Sequence, residues 1–250
     1  MKQAIFTVNT ESLYKSFSYS ESVQTAIKCC INVMSKYAKE SNADFFVFKE
    51  ENTFSDIPML ERFRISELLD KYDRVLYLDS DIIITPHAPN IFEHYPNCEH
   101  LYAYVDYRVQ RPKIHLNYVK RLFDPKGEIV NVNGQYCASG AILASKKHKK
   151  TFEAFSREEY RKTYTNNILW HKKFRQTEHV SIYDMAGRPY EEAYFNYLLH
   201  KSKVSVVPLD PRFNWMVCFF PQKRLQAYFI HYVSPTKDIM LRDIEVLRLK

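Results

Sequence analysis

Two aspartates two positions apart, Asp79 and Asp81, end the apolar run Arg74-Val75-Leu76-Tyr77-Leu78. Carboxylates at the end of a buried strand are costly unless a cation or hydrogen-bond donors compensate them. Hard divalent cations take such oxygen ligands and bridge onward to diphosphate oxygens. Asp-Ser-Asp is also ordinary turn chemistry, and the residues alone leave that reading open. The apolar Ile82-Ile83-Ile84 that follows makes a fully solvated turn less comfortable. A second acidic pair, Glu191 and Glu192, opens a helical pattern, where the helix dipole favours acids. His231 follows an apolar run. A lone histidine there is usually just satisfied by its neighbours.

The elements that must position these groups begin with a buried strand over Gln3–Val8. A helix over Glu21–Glu40 has Val23, Ala26, Ile27, Cys30, Ile31, Met34, Tyr37 and Ala38 at three- and four-residue steps. Ser20 is its N-cap. A strand over Asp44–Phe48 follows, then a helix from Pro58 to about Asp70 with Leu60, Phe63, Leu68 and Leu69 inward. The strand Arg74–Leu78 is apolar throughout, as expected in a parallel sheet covered on both faces. This β-α-β-α-β order predicts an α/β chain with right-handed crossovers. Ligands of such sheets lie beyond the carboxyl ends of the strands, where Asp79 and Asp81 fall. Further strands are expected over 101–105, 138–144, 203–207 and 228–232, and helices over 149–164 and 190–200. Residues 124–135 read as a loop. The amphipathic, basic-ended 237–250 reads as a closing helix, with peripheral attachment to a membrane as the alternative.

Composition bounds the partners. The 250 residues suit one large domain. The formal net charge of +7 is compatible with an anionic ligand, a membrane surface or simply solvated lysines. No nucleic-acid-binding motif is present. Only four glycines occur, and neither GxGxxG nor GxxxxGK[ST] can be written from them, so no glycine-rich loop cradles a phosphate. Five cysteines, two of them adjacent, argue against a disulfide framework and for a reducing, cytoplasmic setting. The first residues hold too short an apolar run for a signal peptide, and no segment is long and apolar enough to span a membrane.

The segment "YDRVLYLDSDIIIT" resembles the DxD segment of GT-A fold glycosyltransferases. It is most similar to the retaining group that includes glycogenin and the lipopolysaccharide galactosyltransferases, glycosyltransferase family 8. The resemblance extends from Phe6 to Lys237. It implies a single GT-A, Rossmann-like domain over 1–250, with a central, mostly parallel sheet and helices on both faces. A nucleotide-binding half would cover 1–110 and a sugar and acceptor half 111–250. "FTVNTESLY" resembles the donor-binding loop, which implies base stacking by Tyr14 with Thr7 and Asn9 nearby. In "LERFRISELL", Arg62 matches the basic residue that approaches the donor diphosphate, with Arg64 as the alternative. The resemblance assigns Asp79 and Asp81 to the metal, Ser80 to the donor, and Asp106 to the neighbourhood of the donor sugar. "CASGAIL" resembles a strand that contacts donor hydroxyls through Ser139 and Gly140; Ala138 stands where Asn is usual. "YEEAYFNYLLHK" resembles an Asp-Gln-x-x-x-Asn helix start, with Glu191 for the Asp and Glu192 for the Gln. "HYVSPTKD" resembles His-x-x-Gly-x-x-Lys. It implies His231 as third metal ligand and Lys237 as a diphosphate contact, although Ser234 replaces the glycine.

The resemblance implies transfer of a sugar from a UDP-sugar to an acceptor hydroxyl, with retention and with Mn2+ or Mg2+ as cofactor. Its partners would be the nucleotide-sugar and a glycan, glycoprotein or glycolipid acceptor. Two rival readings share the sheet and metal site: a sugar nucleotidyltransferase, and a non-catalytic nucleotide-sugar or carbohydrate-binding module.

Overall fold

The computed structural model describes residues 1–11, 14, 18–49, 58–105, 111–154, 156, 158–160, 191–233 and 236–249. These gather into two compact units. The first comprises Met1–Tyr104, Gly140–Lys149 and Val206–Lys250, and the second Val105–Ser139 and Lys150–Ser205.

A six-stranded sheet has the order β2-β1-β3-β6-β5-β7. Its strands are β1 (Gln3–Val8), β2 (Asp44–Phe48), β3 (Arg74–Leu78), β5 (Leu101–Val105), β6 (Cys137–Ser145) and β7 (Val206–Pro208). β1 pairs in parallel with β2 and β3, and β5 with β7, whereas β3 and β6 run antiparallel. The mostly parallel α/β sheet expected from the strand–helix alternation is therefore present. A second sheet, β4-β9-β8, joins β4 (Ile82–Ile84), β8 (Trp215–Met216) and β9 (Phe229–His231).

Helix α1 spans Glu21–Glu40, and the side chain of Ser20 accepts from the Val23 N–H, as the periodicity and cap predict. Its Met34, Tyr37 and Ala38 pack into the core with Ile5, Leu76, Leu78, Ile82 and Phe229. The predicted helix after Pro58 is instead a 3-10 helix over Pro58–Arg64, followed by one α turn, α2 (Ile65–Leu68). Leu60, Phe63, Leu68 and Leu69 are buried as expected. Short helix α3 (Ile91–His94) is capped by the Asn90 side chain. It lies over Arg74, a fully buried cation whose guanidinium donates to the carbonyls of Phe92 and Tyr95.

Helix α7 (Lys237–Val246) closes the first unit. It is bolted down by buried Asp243, which accepts from Arg224 at 2.6 and 2.7 Å and from the Tyr232 hydroxyl at 2.6 Å. The bolt fixes the helix whose first residue is Lys237. No described helix is long and apolar enough to cross a membrane.

In the second unit, helix α4 (Arg111–Phe123) packs on α6 (Glu191–Lys201). Helix α4 is absent from the sequence expectation: its inward residues Leu116, Val119 and Phe123 are too sparse among Arg, Lys and His to stand out. The expected helix over 149–164 is seen as α5 (Lys149–Glu153) and helical residues at 158–160, and 155, 157 and 161–164 lie outside the described residues. The expected strand over 203–207 begins only at Val206 and ends at Pro208.

The 124–135 loop is irregular, as expected, and is organised by Asp124. Its buried carboxylate accepts from the N–H groups of Glu128, Ile129 and Val130 at 2.8–3.0 Å. Burial pulls its pKa up, and the N–H donors outweigh that and hold it below the ordinary carboxylate value. Asp124→Ala is expected to cost about 1–3 kcal/mol of stability, because buried donors lose their acceptor. The folded pKa is depressed, so the contribution is complete above the unfolded value of about 3.9 and vanishes as pH falls through the folded one. Urea denaturation at pH 7 and at decreasing pH checks this. A wild-type midpoint for Asp124→Ala at pH 7 would contradict it.

Candidate functional site

Strand β3 is buried along its whole length and delivers Asp79 to its carboxyl end. There the chain turns sharply: the Asp79 N–H donates to Gly140 O at 2.8 Å, and the Ile82 N–H to Asp79 O at 3.2 Å. Asp79-Ser80-Asp81 is thus both a turn and a half-buried pair of carboxylates, and the two sequence readings coincide. Ser80 is half-buried at the tip.

The apolar Ile82–Ile84 forms β4, which pairs antiparallel with β9 so that Ile82 faces His231. That register brings a residue from the far end of the chain to the Asp pair. The Tyr232 N–H adds a bond to Asp81 O at 3.2 Å. Asp79, Asp81 and His231 each offer a ligand atom, and these lie within 4.8 Å of one another. His231 Nε2 is 3.3 Å from Asp81 Oδ1 and 3.5 Å from Asp79 Oδ2. Ligands at right angles around an octahedral cation with bonds of about 2.1 Å stand about 3 Å apart, so one cation fits between these atoms with little movement. The donor set, two carboxylates and an imidazole, suits Mn2+ and also accommodates Mg2+.

Two cations flank the triad. Arg62 Nη2 is 3.2 Å from Asp79 Oδ1, and the same carboxylate accepts from the Tyr77 hydroxyl. Arg62 is held by its own bond to Met59 O at 3.0 Å and lies over the Tyr77 ring. Arg64 turns instead to Glu61 and Glu67. Lys237, buried, is paired with Asp81 and donates to Tyr232 O at 2.6 Å. Burial would raise the Asp81 pKa, yet Lys237 and His231 hold it well below the usual carboxylate range. Burial lowers the His231 pKa, and Asp81 and Asp79 outweigh it and raise the value.

Gly140 is the floor of this cluster. A Cβ there would fall against His231 Cε1 and 2.8 Å from its Nδ1, closer than real contacts allow, and 3.0 Å from Asp79 Oδ2, a tight contact. Expected as a donor-sugar contact, Gly140 leaves room for the triad itself.

Of the expected base-binding residues, Tyr14 and Asn9 come together, the Tyr14 hydroxyl donating to Asn9 Oδ1. The Tyr14 ring packs against Tyr19 at 6.4 Å, and Lys237 Nζ lies over Tyr19. Thr7 is fully buried in β1, with its hydroxyl lacking a hydrogen-bond partner among the described residues. Asp106 and Ser234 lie outside the described residues.

In the second unit, Glu192 Oε2 accepts from the Ser139 N–H at 3.3 Å, and the buried Tyr136 hydroxyl bonds the same side chain. Asn196, one turn on, donates to the carbonyls of Glu192 and Cys137 and accepts from the Cys137 N–H, all at 2.8 Å. This clamp fixes the start of α6 against β6. Glu191 is buried. Two residues here escaped sequence reasoning. Tyr136 and Asn196 have no local signal, although Asn196 is the last residue of the helix-start pattern that Glu191 and Glu192 opened.

This fold is GT-A, the architecture of nucleotide-sugar transferases, and solved structures match it over nearly the whole chain. A glycosyltransferase involved in glycosylation of the major capsid of PBCV-1 is 13% identical, with 98% of this chain and 100% of that one covered and a TM-score of 0.55. The galactosyltransferase LgtC, in complex with donor and acceptor sugar analogues, is also 13% identical, covering 98% and 94%, at 0.53. An active-site glutamine-to-glutamate mutant of LgtC covers 98% and 95%, at 13% identity and 0.58. Among curated proteins, none matches this chain by sequence. The family model for Glycosyl transferase family 8 matches residues 11–238, and the chain belongs to that family.

Proposed function

We propose that the protein transfers a sugar from a UDP-sugar to an acceptor hydroxyl, with retention, using a divalent cation, preferably Mn2+, held by Asp79, Asp81 and His231. The observation that carries this reading is the convergence of those three ligand atoms at the end of β3. Family membership supports sugar transfer rather than nucleotidyl transfer or mere binding.

Charge supports the donor class. Arg62 and Lys237 already balance Asp79 and Asp81. Adding a divalent cation leaves a surplus of positive charge, which a diphosphate restores to balance. In this reading Arg62 and Lys237 turn from the aspartates to the donor phosphates, point charges placed for a leaving diphosphate. The cation supplies Lewis-acid stabilisation of that leaving group. Asn9 orients Tyr14, whose ring stacks on uracil, and Thr7 offers a buried hydroxyl beside it. Ser80, Ser139 and Gly140 line the donor side, with Asp106 near the sugar.

Glu192 is the proposed carboxylate at the anomeric carbon, where the family resemblance expects glutamine. An active-site glutamine-to-glutamate mutant of LgtC has a solved structure. Glu191 and Asp106 follow it as candidates. We further propose a single catalytic domain over 1–250, with a nucleotide-binding half over 1–110 and a sugar and acceptor half over 111–250. The acceptor is a glycan, glycoprotein or glycolipid. The five cysteines form no disulfide with one another, which fits a reducing, cytoplasmic setting.

The test is a thermal-shift screen of nucleotide-sugars with and without MnCl2. A bound ligand raises stability by mass action, about 2.7 kcal/mol at a hundred times its Kd. A UDP-sugar should raise Tm only with Mn2+, and the same donor should be hydrolysed slowly to free sugar and UDP. Pyrophosphate release would point to a nucleotidyltransferase, and a Tm rise without turnover to a binding module.

Gly140→Ala probes the cluster directly. The added methyl displaces His231 and Asp79, and Mn2+ affinity is expected to fall roughly ten- to a hundredfold, the size seen when ligand orientation is lost. Titration calorimetry with MnCl2 checks it, and wild-type affinity would mean the triad is not the metal site.

A further inference from the structure

Asn214 is fully buried beside His231 and belongs to none of the motifs that point to the site. Its Oδ1 is 2.9 Å from His231 Nδ1, on the side of the ring away from the aspartates. The amide is rigidly placed. It ends a 3-10 helix, Pro211–Asn214, that is capped by the Asp210 side chain and anchored by Phe213, whose ring packs on Tyr95, Tyr228 and Phe229. The next two residues form β8, in register with β9, with Met216 opposite His231. The Val217 N–H then donates to His231 O at 3.1 Å. Nδ2 of the same amide is buried with no hydrogen-bond partner among the described residues. An apolar residue of similar size would avoid that cost, so the oxygen is the part of the side chain that has a use.

The two ways of facing the amide to the ring differ in consequence. With Oδ1 toward Nδ1, the ring carries its proton on Nδ1 and presents the Nε2 lone pair to the carboxylates. With the amide turned over, Nδ2 donates to Nδ1 and the ring proton moves to Nε2, between Asp79 and Asp81, where it excludes a cation. We propose that Asn214 is a positioning residue that fixes the His231 ring and its Nδ1–H tautomer, keeping Nε2 free for a metal. This rests on the metal reading of the triad. Metal-bound histidines in general owe their orientation and basicity to such an acceptor on the second nitrogen.

The experiment measures Mn2+ binding by electron paramagnetic resonance, without nucleotide, for wild type, Asn214→Leu and Asn214→Asp. Circular dichroism checks the fold of each. The expected result is a Kd raised ten- to a hundredfold in Asn214→Leu. Asn214→Asp keeps an acceptor on Nδ1 and should stay within about threefold of wild type. Wild-type affinity in Asn214→Leu overturns the inference and leaves the metal site standing. Equal losses in both variants also overturn it, because they mark packing rather than an acceptor. A wild-type protein that binds no Mn2+ removes the metal reading and this inference with it. Should Asn214→Leu not fold, 15N-histidine NMR of the neutral His231 ring in metal-free wild type decides: a proton on Nδ1 supports the assignment, and a proton on Nε2 refutes it.

Discussion

Asp81→Ala is expected to lower kcat/KM about a thousandfold, the size of several kcal/mol of lost charge stabilisation at the leaving group. The carboxylate has three partners: His231, Lys237 and, through the proposed cation, the donor. Its removal therefore does more than delete a ligand. Lys237 is buried and among the described residues would keep only Tyr232 O as an acceptor, and breaking a buried pair from one side is destabilising. The alanine variant should accordingly lose Tm as well as activity. Asp81→Asn keeps an oxygen for Lys237 and should recover much of the Tm while remaining almost inactive. Steady-state kinetics with thermal melts of both variants separates the two losses. Near-wild-type kcat/KM in either variant, or full wild-type activity in EDTA, would refute the metal assignment.

The second large effect belongs to Glu192. Its carboxylate is held by the Ser139 N–H and the Tyr136 hydroxyl. A fixed negative charge beside a sugar that develops positive charge acts mainly in the transition state. Glu192→Gln keeps the shape and removes the charge. It is expected to lower kcat roughly a hundred- to a thousandfold, the range for losing one preorganised electrostatic group. The donor KM should stay nearly unchanged, as for an interaction made only in the transition state. Wild-type kcat would return Glu192 to hydrogen bonding at the start of α6. A raised KM alone would make it a donor-binding residue.

The sequence was most legible where a single local rule governs. α1 carries a cap, a periodic apolar stripe and polar flanks, and its ends fall where those signals place them. β3 announces itself as a continuous apolar run broken by two aspartates. Elements set by tertiary pairing were harder. Ile82–Ile84 is too short to declare itself a strand, yet its pairing with β9 is what brings His231 to the aspartates. The order of motifs pointed to His231, but nothing local did. Asn214 was invisible, because an asparagine before a tryptophan has no signature until β8 aligns with β9. Pro58–Arg64 reads as α-helix by its apolar spacing, and the 3-10 form differs only in how tightly the backbone winds. Gly140 was noticed through resemblance, but its reason, the missing Cβ beneath His231 and Asp79, needed coordinates.

The pairing of Lys237 with Asp81 joins residues 156 positions apart in the chain. Contacts of such long range incur loop-closure entropy early and form late during folding. β4 must already lie beside β9, and α7 must already be bolted through Asp243, before the cluster exists. A nascent or truncated chain lacking β9 therefore has half a site, with two aspartates and no imidazole. In a refolding time course, the appearance of tight Mn2+ binding should coincide with the slowest phase. Cation capture then serves as a clock for completed folding.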